Sequence, residues 1–201
     1  MKITFATGNK GKVASMHKYL EDYNNIEVEQ KELDLIEPQL DSITDIALHK
    51  ARQAFDILKK PVIVEDTGFC IEALNGFPGP YAKYILDTLS IDHILKMMDG
   101  EENRNACFHS ALVYIDKDGK AHVFEDKTNV TMTTKADTAP LNDEAWSELW
   151  RIIILEGSSK TLNSLNNKER KDLKTKREKN SRFVHFAQWI SDAKNAPISN
   201  N

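Results

Sequence analysis

Short apolar runs alternate along this chain with segments whose apolar residues recur at helical spacing. Pro61-Val62-Ile63-Val64 is a mostly β-branched run with no polar interruption, which is the pattern of a buried strand. Between residues 43 and 58 the apolar positions recur with the period of an amphipathic helix. Because strand and helix patterns alternate, the chain is predicted to adopt an α/β fold.

The same reasoning assigns the other elements. Asp116-Lys117-Asp118-Gly119 separates two long strand patterns and is typical of a hairpin turn. Gly76-Phe77-Pro78-Gly79-Pro80 is dense in residues that interrupt regular structure, and it is predicted to be a loop. The predicted strands are 2–6, 26–30, 61–65, 105–115, 120–133 and 152–155, and the predicted helices are 11–22, 43–58, 81–88, 90–99, 164–179 and 182–193.

Composition narrows the classes of function. The 201 residues, with 40% hydrophobic and 29% charged, suit one globular domain with a sizeable core. A net charge of -4 does not favour a nucleic-acid polymer as partner. No apolar run approaches the ~20 residues that span a bilayer, so no membrane partner is expected. We predict a single domain over residues 1–195, followed by a disordered tail at 196–201.

The two cysteines indicate the redox state of the compartment rather than a metal or disulfide site. Cys70 and Cys107 lack the spacing of metal ligands, and two cysteines do not make a disulfide framework. Both are interpreted as small core residues. This usage predicts a reducing, cytoplasmic location.

The segment between the first strand and the first helix is a candidate phosphate cradle. A chain that leaves a strand through a glycine and enters a helix presents backbone N–H groups where the helix dipole favours an anion. Lysines beside these donors add positive charge, although the spacing differs from that of a P-loop. An ordinary turn with solvated lysines is the alternative. The predicted phosphate-binding residues are Thr7, Gly8, Asn9, Lys10, Gly11 and Lys12.

Two adjacent carboxylates follow the buried run at 61–64. Glu65 and Asp66 would lose hydration and repel each other unless cations compensate them. Mg²⁺ commonly binds one or two carboxylates together with phosphate oxygens. Because ligands of open α/β sheets lie beyond the carboxyl ends of strands, residues 7–12 and 65–68 are predicted to face one ligand. A helix-capping pair or a surface turn is the alternative interpretation.

Four segments, taken in order, resemble the inosine triphosphate pyrophosphatases, a family that removes non-standard purine nucleotides. They are Thr-Gly-Asn-x-x-Lys at 7–12, Val-Glu-Asp-Thr-Gly at 64–68, Leu-Asn-Gly-Phe-Pro-Gly-Pro-Tyr at 74–81, and Arg-Asn-Ala-Cys-Phe-His-Ser-Ala-Leu at 104–112. The resemblance implies an elongated mixed sheet flanked by helices, with a central nucleotide cleft and a smaller second lobe.

The resemblance also implies a reaction, which is Mg²⁺-dependent hydrolysis of a triphosphate such as ITP, dITP or XTP to the monophosphate and pyrophosphate. Glu37 and Asp66 would bind the metal, with Glu65 in support, and Asp66 or Glu65 would orient or deprotonate the attacking water. Members of the family are commonly homodimers, so a homodimer is expected. The side chains expected to act on the phosphates are Lys12, Lys50, Thr67 and Lys83. For Glu37 and for the three lysines, a solvent-facing side chain is the alternative.

The C-terminal half departs from the family pattern. Counting back from Gly157 places residues 147–151 where the family has Phe-Gly-Tyr-Asp-Pro, with Trp150 at the aspartate. Counting forward from Thr161 places residues 174–176 where the family has Ser-His-Arg. Both motifs hold the base in the family. Three hypotheses about function therefore stay open. The first is an enzyme for a deaminated purine nucleotide, and the second is an enzyme for a nucleotide whose base stacks on Trp150. The third is a non-catalytic descendant that binds a nucleotide or a protein. The basic run at 168–182 is interpreted as a solvated helix face, with one or two phosphate contacts as the alternative.

Overall fold

The fold is known from a computed structural model, which describes residues 2–21 and 26–195. The strands are β1 (Lys2–Ala6), β2 (Glu27–Lys31), β3 (Val62–Ile71), β4 (Pro78–Gly79), β5 (Asn105–Ile115), β6 (Ala121–Met132) and β7 (Ile153–Leu155). The helices are α1 (Lys10–Leu20), α2 (Ile43–Leu58), α3 (Ala82–Thr88), α4 (Ile91–Met97), α5 (Asn167–Glu178) and α6 (Arg182–Asn195). Two short 3-10 helices cover Glu72–Leu74 and Glu148–Arg151.

The strands form one mixed sheet of seven strands in the order β2-β1-β3-β5-β6-β7, with β4 attached to β3. β1 runs parallel to both β2 and β3, whereas β3, β5, β6 and β7 pair antiparallel. The predicted α/β class is therefore confirmed. No helix in the described ranges is long and apolar enough to cross a membrane.

Helices pack on both faces of the sheet, and β3 contributes alternate residues to the two sides. Ile63 belongs to the apolar cluster that includes α1 and α6. Val62 and Val64 belong to the cluster formed with α2. A third cluster joins the far end of β3 to α4, β7 and residues 149–152. Since successive strand residues face opposite sides, the residues that follow Val64 must also alternate between the α1 and α2 sides.

Side-chain caps explain where three helices begin. Asn9 caps α1, and Ser42 caps α2 by accepting from the Asp45 amide. α5 begins only after Asn166, which forms a capping box with Glu169. The predicted start at residue 164 was therefore too early.

The prediction was wrong about the end of β3. The strand does not stop at residue 65 but continues to Ile71, because β5 pairs with it along its whole length. The acidic segment thus lies within the strand, just past the level at which β1 ends. Residues 78–79 form a short strand rather than loop, and the 3-10 helix at Glu148–Arg151 was not predicted. The predicted end of the first helix at residue 22 and the predicted disordered tail at 196–201 lie outside the described residues.

Candidate active site

A cleft of about 1800 Å³ opens beside the central part of β3. One wall comes from α1, with Asn9, Gly11 and Lys12 at its N-terminal end. Other walls come from α3, from α5 and from the 3-10 helix at 148–151. This cleft is large enough for a nucleotide, in line with the central cleft that the resemblance implies.

The first loop differs from a free phosphate cradle. The Asn9 side chain accepts from the amides of Gly11 at 2.9 Å and Lys12 at 3.2 Å. These two amides are therefore already satisfied by a side chain, and the Lys12 ammonium is the positive charge of this loop that faces the cleft. Of the predicted segment, Asn9, Gly11 and Lys12 line the cleft, whereas Thr7, Gly8 and Lys10 are not among its lining residues.

The two adjacent carboxylates point to opposite faces of β3. Glu65 follows the alternation of Ile63 and faces the α1 side, where its side chain is fully buried. Asp66 follows Val64 and faces the α2 side, where its side chain is partly exposed. The two carboxylates therefore pair with different protein cations, because successive residues of a strand face opposite sides.

Glu65 is neutralised by protein cations. Lys12 Nζ lies 3.0 Å from Glu65 Oε2 and also donates to the Glu65 carbonyl oxygen at 3.0 Å. Arg182, the first residue of α6, contacts Glu65 Oε1 through its guanidinium. The same guanidinium lies 3.0 Å from Asp126 on β6, and Thr67 Oγ1 donates to Glu65 Oε1 at 3.0 Å. Two cations and two carboxylates thus form a compensated network at the wall of the cleft.

Asp66 belongs to a separate group with Glu37. Lys50 Nζ donates to Glu37 Oε2 at 2.6 Å and to Asp66 Oδ2 at 2.9 Å. Burial disfavours the charged form of Lys50, but Asp66 and Glu37 outweigh that effect and raise the Lys50 pKa above its usual value. The ammonium is therefore charged at neutral pH and holds both carboxylates close together.

The Glu37–Asp66 pair fits a hard divalent cation. Both groups offer carboxylate oxygens, both line the cleft, and one ammonium already bridges them. Mg²⁺ needs few protein ligands when phosphate oxygens and water complete its octahedron. Within residues 2–21 and 26–195 there is no group of three or more His, Cys, Asp or Glu side chains that could hold a metal. A cation held by protein and substrate together matches this donor set better than an all-protein site.

Sequence reasoning missed the two residues that complete the Glu65 network. Arg182 was counted only within the basic run, and Asp126 carried no signal because it lies in an ordinary strand pattern. The arginine beside Glu65 is thus Arg182, not a member of residues 174–176. The predicted Lys83 lines the cleft. Four further basic side chains from the run at 168–182 also line it, namely Arg170, Lys171, Lys174 and Arg177.

The far end of the cleft is aromatic. Trp150 is only 6% exposed and packs in the third apolar cluster, with the Arg170 guanidinium 5.6 Å from its ring centroid. Trp146 is 61% exposed and packs edge-on against Phe108 at 5.2 Å. The exposed ring that a base can stack on is therefore Trp146 rather than Trp150, whose burial follows from its place in the core.

The ionised carboxylate of Asp137 connects two loops at this end of the cleft. Thr161 Oγ1 donates to Asp137 at 2.7 Å, and the Ala139 amide donates to the same carboxylate at 2.9 Å. Hydrogen bonds from Ser164, Thr161 and the Ala139 backbone together lower the Asp137 pKa to about 2. Asp137 thereby joins the loop after β6 to the loop after β7, near the aromatic wall.

Comparison with known sequences gives matches over most of the chain. A model of the Ham1 family matches residues 3–185. A Methanopyrus kandleri protein named dITP/XTP pyrophosphatase is 39% identical over 192 residues, which make up 96% of this chain and 97% of that protein. A Thermococcus kodakarensis protein of the same name is 30% identical over 192 residues, or 96% of this chain and 98% of its own.

Solved structures show the same architecture. The HAM1 protein from Coxiella burnetii superposes with a TM-score of 0.80 over 96% of this chain and 99% of its own, at 17% identity. At that identity the likeness concerns the fold alone. The family model, however, extends through the divergent C-terminal half as far as residue 185. Sequence and fold together show that this chain belongs to the Ham1 family.

Proposed function

We propose that the chain hydrolyses a deaminated purine nucleoside triphosphate, such as ITP, dITP or XTP, to the monophosphate and pyrophosphate with Mg²⁺. The chain is a hydrolase that acts on nucleoside triphosphates, since relatives that align over nearly its whole length are named for this activity. The proposed substrate and metal are supported mainly by one observation. Glu37 and Asp66 both contact Lys50, and the two carboxylates line a cleft that also carries other basic side chains.

The Glu37–Asp66 pair and the Glu65 network would have different roles in the reaction. Glu37 and Asp66 would hold Mg²⁺, which when bound supplies a Lewis acid to the phosphate oxygens. Asp66 is the better candidate to orient or deprotonate the attacking water, because Glu65 is fully buried and paired with Lys12 and Arg182. Glu65 would instead fix the position of the Lys12 ammonium.

Positive charge would stabilise the triphosphate as it reacts. Lys12 and Lys83 line the cleft, and Lys50 lies beside the Glu37–Asp66 pair. Phosphoryl transfer depends mainly on positioning and on neutralising charge that shifts among the phosphate oxygens. These lysines supply that charge from two sides of β3, and Thr67 adds a hydroxyl held by Glu65 and Ser110.

The direct test is a screen for pyrophosphate release over common and deaminated nucleoside triphosphates, with and without Mg²⁺. The proposal expects release from ITP, dITP or XTP only when the metal is present. Binding of these nucleotides without hydrolysis of any triphosphate would contradict it. We also propose a homodimer in the cytoplasm, and light scattering coupled to size-exclusion chromatography tests the assembly.

Replacing Lys12 by alanine is expected to weaken nucleotide binding about tenfold or more, since hydrogen bonds to charged groups contribute ~1.5–3 kcal/mol. The deficit should shrink as salt rises, because screening weakens the lost interaction in the reference protein too. Calorimetric titration with a non-hydrolysable ITP analogue at low and high salt measures both effects. Lys10→Ala is the matched control, because Lys10 lies two positions earlier, is exposed and is not among the cleft-lining residues. Equal affinities at low salt would exclude Lys12 from the binding site.

Base discrimination is expected to be modest. A stacking or apolar site separates related ligands by only ~1–3 kcal/mol, whereas a site that hydrogen-bonds a base edge rejects analogues far more strongly. The exposed Trp146 ring favours stacking. We expect kcat/KM for ITP to exceed that for GTP and ATP by less than about a thousandfold.

The Methanopyrus kandleri relative, assayed in parallel, provides the reference for this ratio. A preference above about a thousandfold would contradict the stacking view. It would point instead to Trp150, whose indole Nε1 is buried without a hydrogen-bond partner among the described residues.

A further inference from the structure

The backbone of the loop that carries Glu37 makes few hydrogen bonds, although Leu33 and Leu35 pack against the apolar cluster on the α2 side. Residues 32–42 contain neither helix nor strand. The Glu37 side chain is 56% exposed, and the preceding Ile36 is 75% exposed. An exposed loop of this kind loses much backbone freedom when one of its side chains must bind an ion, and that loss weakens binding.

One side chain from α2 fixes this loop through its backbone. The Gln53 amide donates from Nε2 to the Ile36 carbonyl oxygen at 2.7 Å and accepts from the Ile36 amide at Oε1 at 3.0 Å. The Gln53 side chain thus holds both the N–H and the C=O of Ile36. In the described part of the chain, no other hydrogen bond reaches the backbone of residues 34–37.

Gln53 acts together with Lys50. The two lie three residues apart on α2, so they share a helix face. Lys50 holds the Glu37 carboxylate, while Gln53 holds the backbone one residue earlier. The contacts therefore restrain Glu37 at both ends, and they tie it to the same helix that contacts Asp66.

We infer that Gln53 is a positioning residue for the divalent cation: it holds Ile36 so that the Glu37 carboxylate stays opposite Asp66. This inference rests on the proposed role of Glu37 as a metal ligand. Residues that orient metal ligands typically change metal affinity or activity by about 10–100-fold when they are removed. Gln53 touches neither the metal nor the substrate, so its effect must appear in metal affinity more than in the rate at saturating metal.

The test is a Mn²⁺ titration, read by the electron paramagnetic resonance of free Mn²⁺, in the presence of a non-hydrolysable α,β-imido analogue of ITP. Gln53→Ala and the nearly isosteric Gln53→Met are expected to weaken Mn²⁺ binding about tenfold or more. The Mg²⁺ concentration for half-maximal pyrophosphate release should rise by a similar factor, with kcat at saturating Mg²⁺ largely retained. Arg52→Ala, a neighbouring exposed position on α2, should leave all three quantities unchanged.

Hydrogen exchange shows whether the loop contact has been broken. The Ile36 amide should exchange faster in both Gln53 variants, while the melting temperature stays close to that of the unsubstituted protein. Faster exchange with unchanged Mn²⁺ affinity would overturn the inference, because the contact would then shape the loop without serving the metal.

Glu37→Gln separates this inference from the proposed function. If Glu37→Gln weakens Mn²⁺ binding but the Gln53 variants do not, only the positioning role is wrong. If Glu37→Gln also leaves Mn²⁺ binding unchanged, the proposed metal role of Glu37 fails, and the inference about Gln53 fails with it.

Discussion

Replacing Asp66 by asparagine is expected to abolish turnover while the protein remains folded. The change removes a carboxylate that would both hold Mg²⁺ and act on the attacking water, a loss of several kcal/mol in the transition state. Stability should change little, because Lys50 keeps Glu37 as its partner and the new amide oxygen can still accept from the Thr67 amide. Pyrophosphate release and thermal unfolding measure the two effects.

Asp56→Asn is the matched control for this substitution. Asp56 is exposed on α2, pairs with Lys59 alone among the described residues, and is not among the cleft-lining residues. The same chemical change there should leave both rate and stability unaffected. A fall of less than about tenfold for Asp66→Asn would remove Asp66 from the catalytic site, since a tenfold change corresponds to only ~1.4 kcal/mol.

The second large effect is expected from Arg182→Met, and it concerns stability. Methionine keeps much of the side-chain volume but removes the cation that Glu65 and Asp126 share, so that Lys12 alone must compensate two carboxylates of this network. Removing one partner of a buried ion pair costs about 3–5 kcal/mol because an uncompensated charge stays buried. Urea denaturation should show a lower midpoint with an unchanged slope.

A double variant tests whether the buried charge is the cause. Arg182→Met combined with Glu65→Gln should recover part of the lost stability, because no ionised carboxylate then remains at the fully buried position. Arg52→Met, at an exposed site on α2, serves as the control. A loss below about 1 kcal/mol for Arg182→Met would mean that the pair behaves like a surface ion pair and does not stabilise the fold.

The elements that sequence reasoning placed well are those with a clear local period. The helix at 43–58 agrees with α2 at both ends, and the strand at 105–115 agrees with β5. Periodicity and capping residues are local signals, so they need no knowledge of partners. The predicted end of β3 was wrong because it depends on a distant partner. The acidic residues resemble a strand end, and only pairing with β5 continues the strand past them.

The candidate site divides in the same way. Lys12 and Asp66 lie in contiguous motifs, and Glu37 was chosen from the family resemblance, so all three were candidates before their contacts were known. Lys50 was placed by its resemblance, and its bridging role between two carboxylates appears only in three dimensions. The separation of Glu65 from Asp66 follows from strand alternation, which sequence reasoning did not apply because the predicted strand ended at residue 65.

The sequence by itself therefore determined the fold class and the family, and it indicated part of the charged site, because these follow from local periods or from contiguous motifs. The tertiary structure alone decided which charges compensate one another. Arg182 and Glu65 are 117 positions apart in the chain, and Asp126 belongs to another strand, so no local pattern could join them. Tertiary packing also buried Trp150 and left Trp146 exposed, since the burial of each ring depends on neighbours from elements distant in sequence.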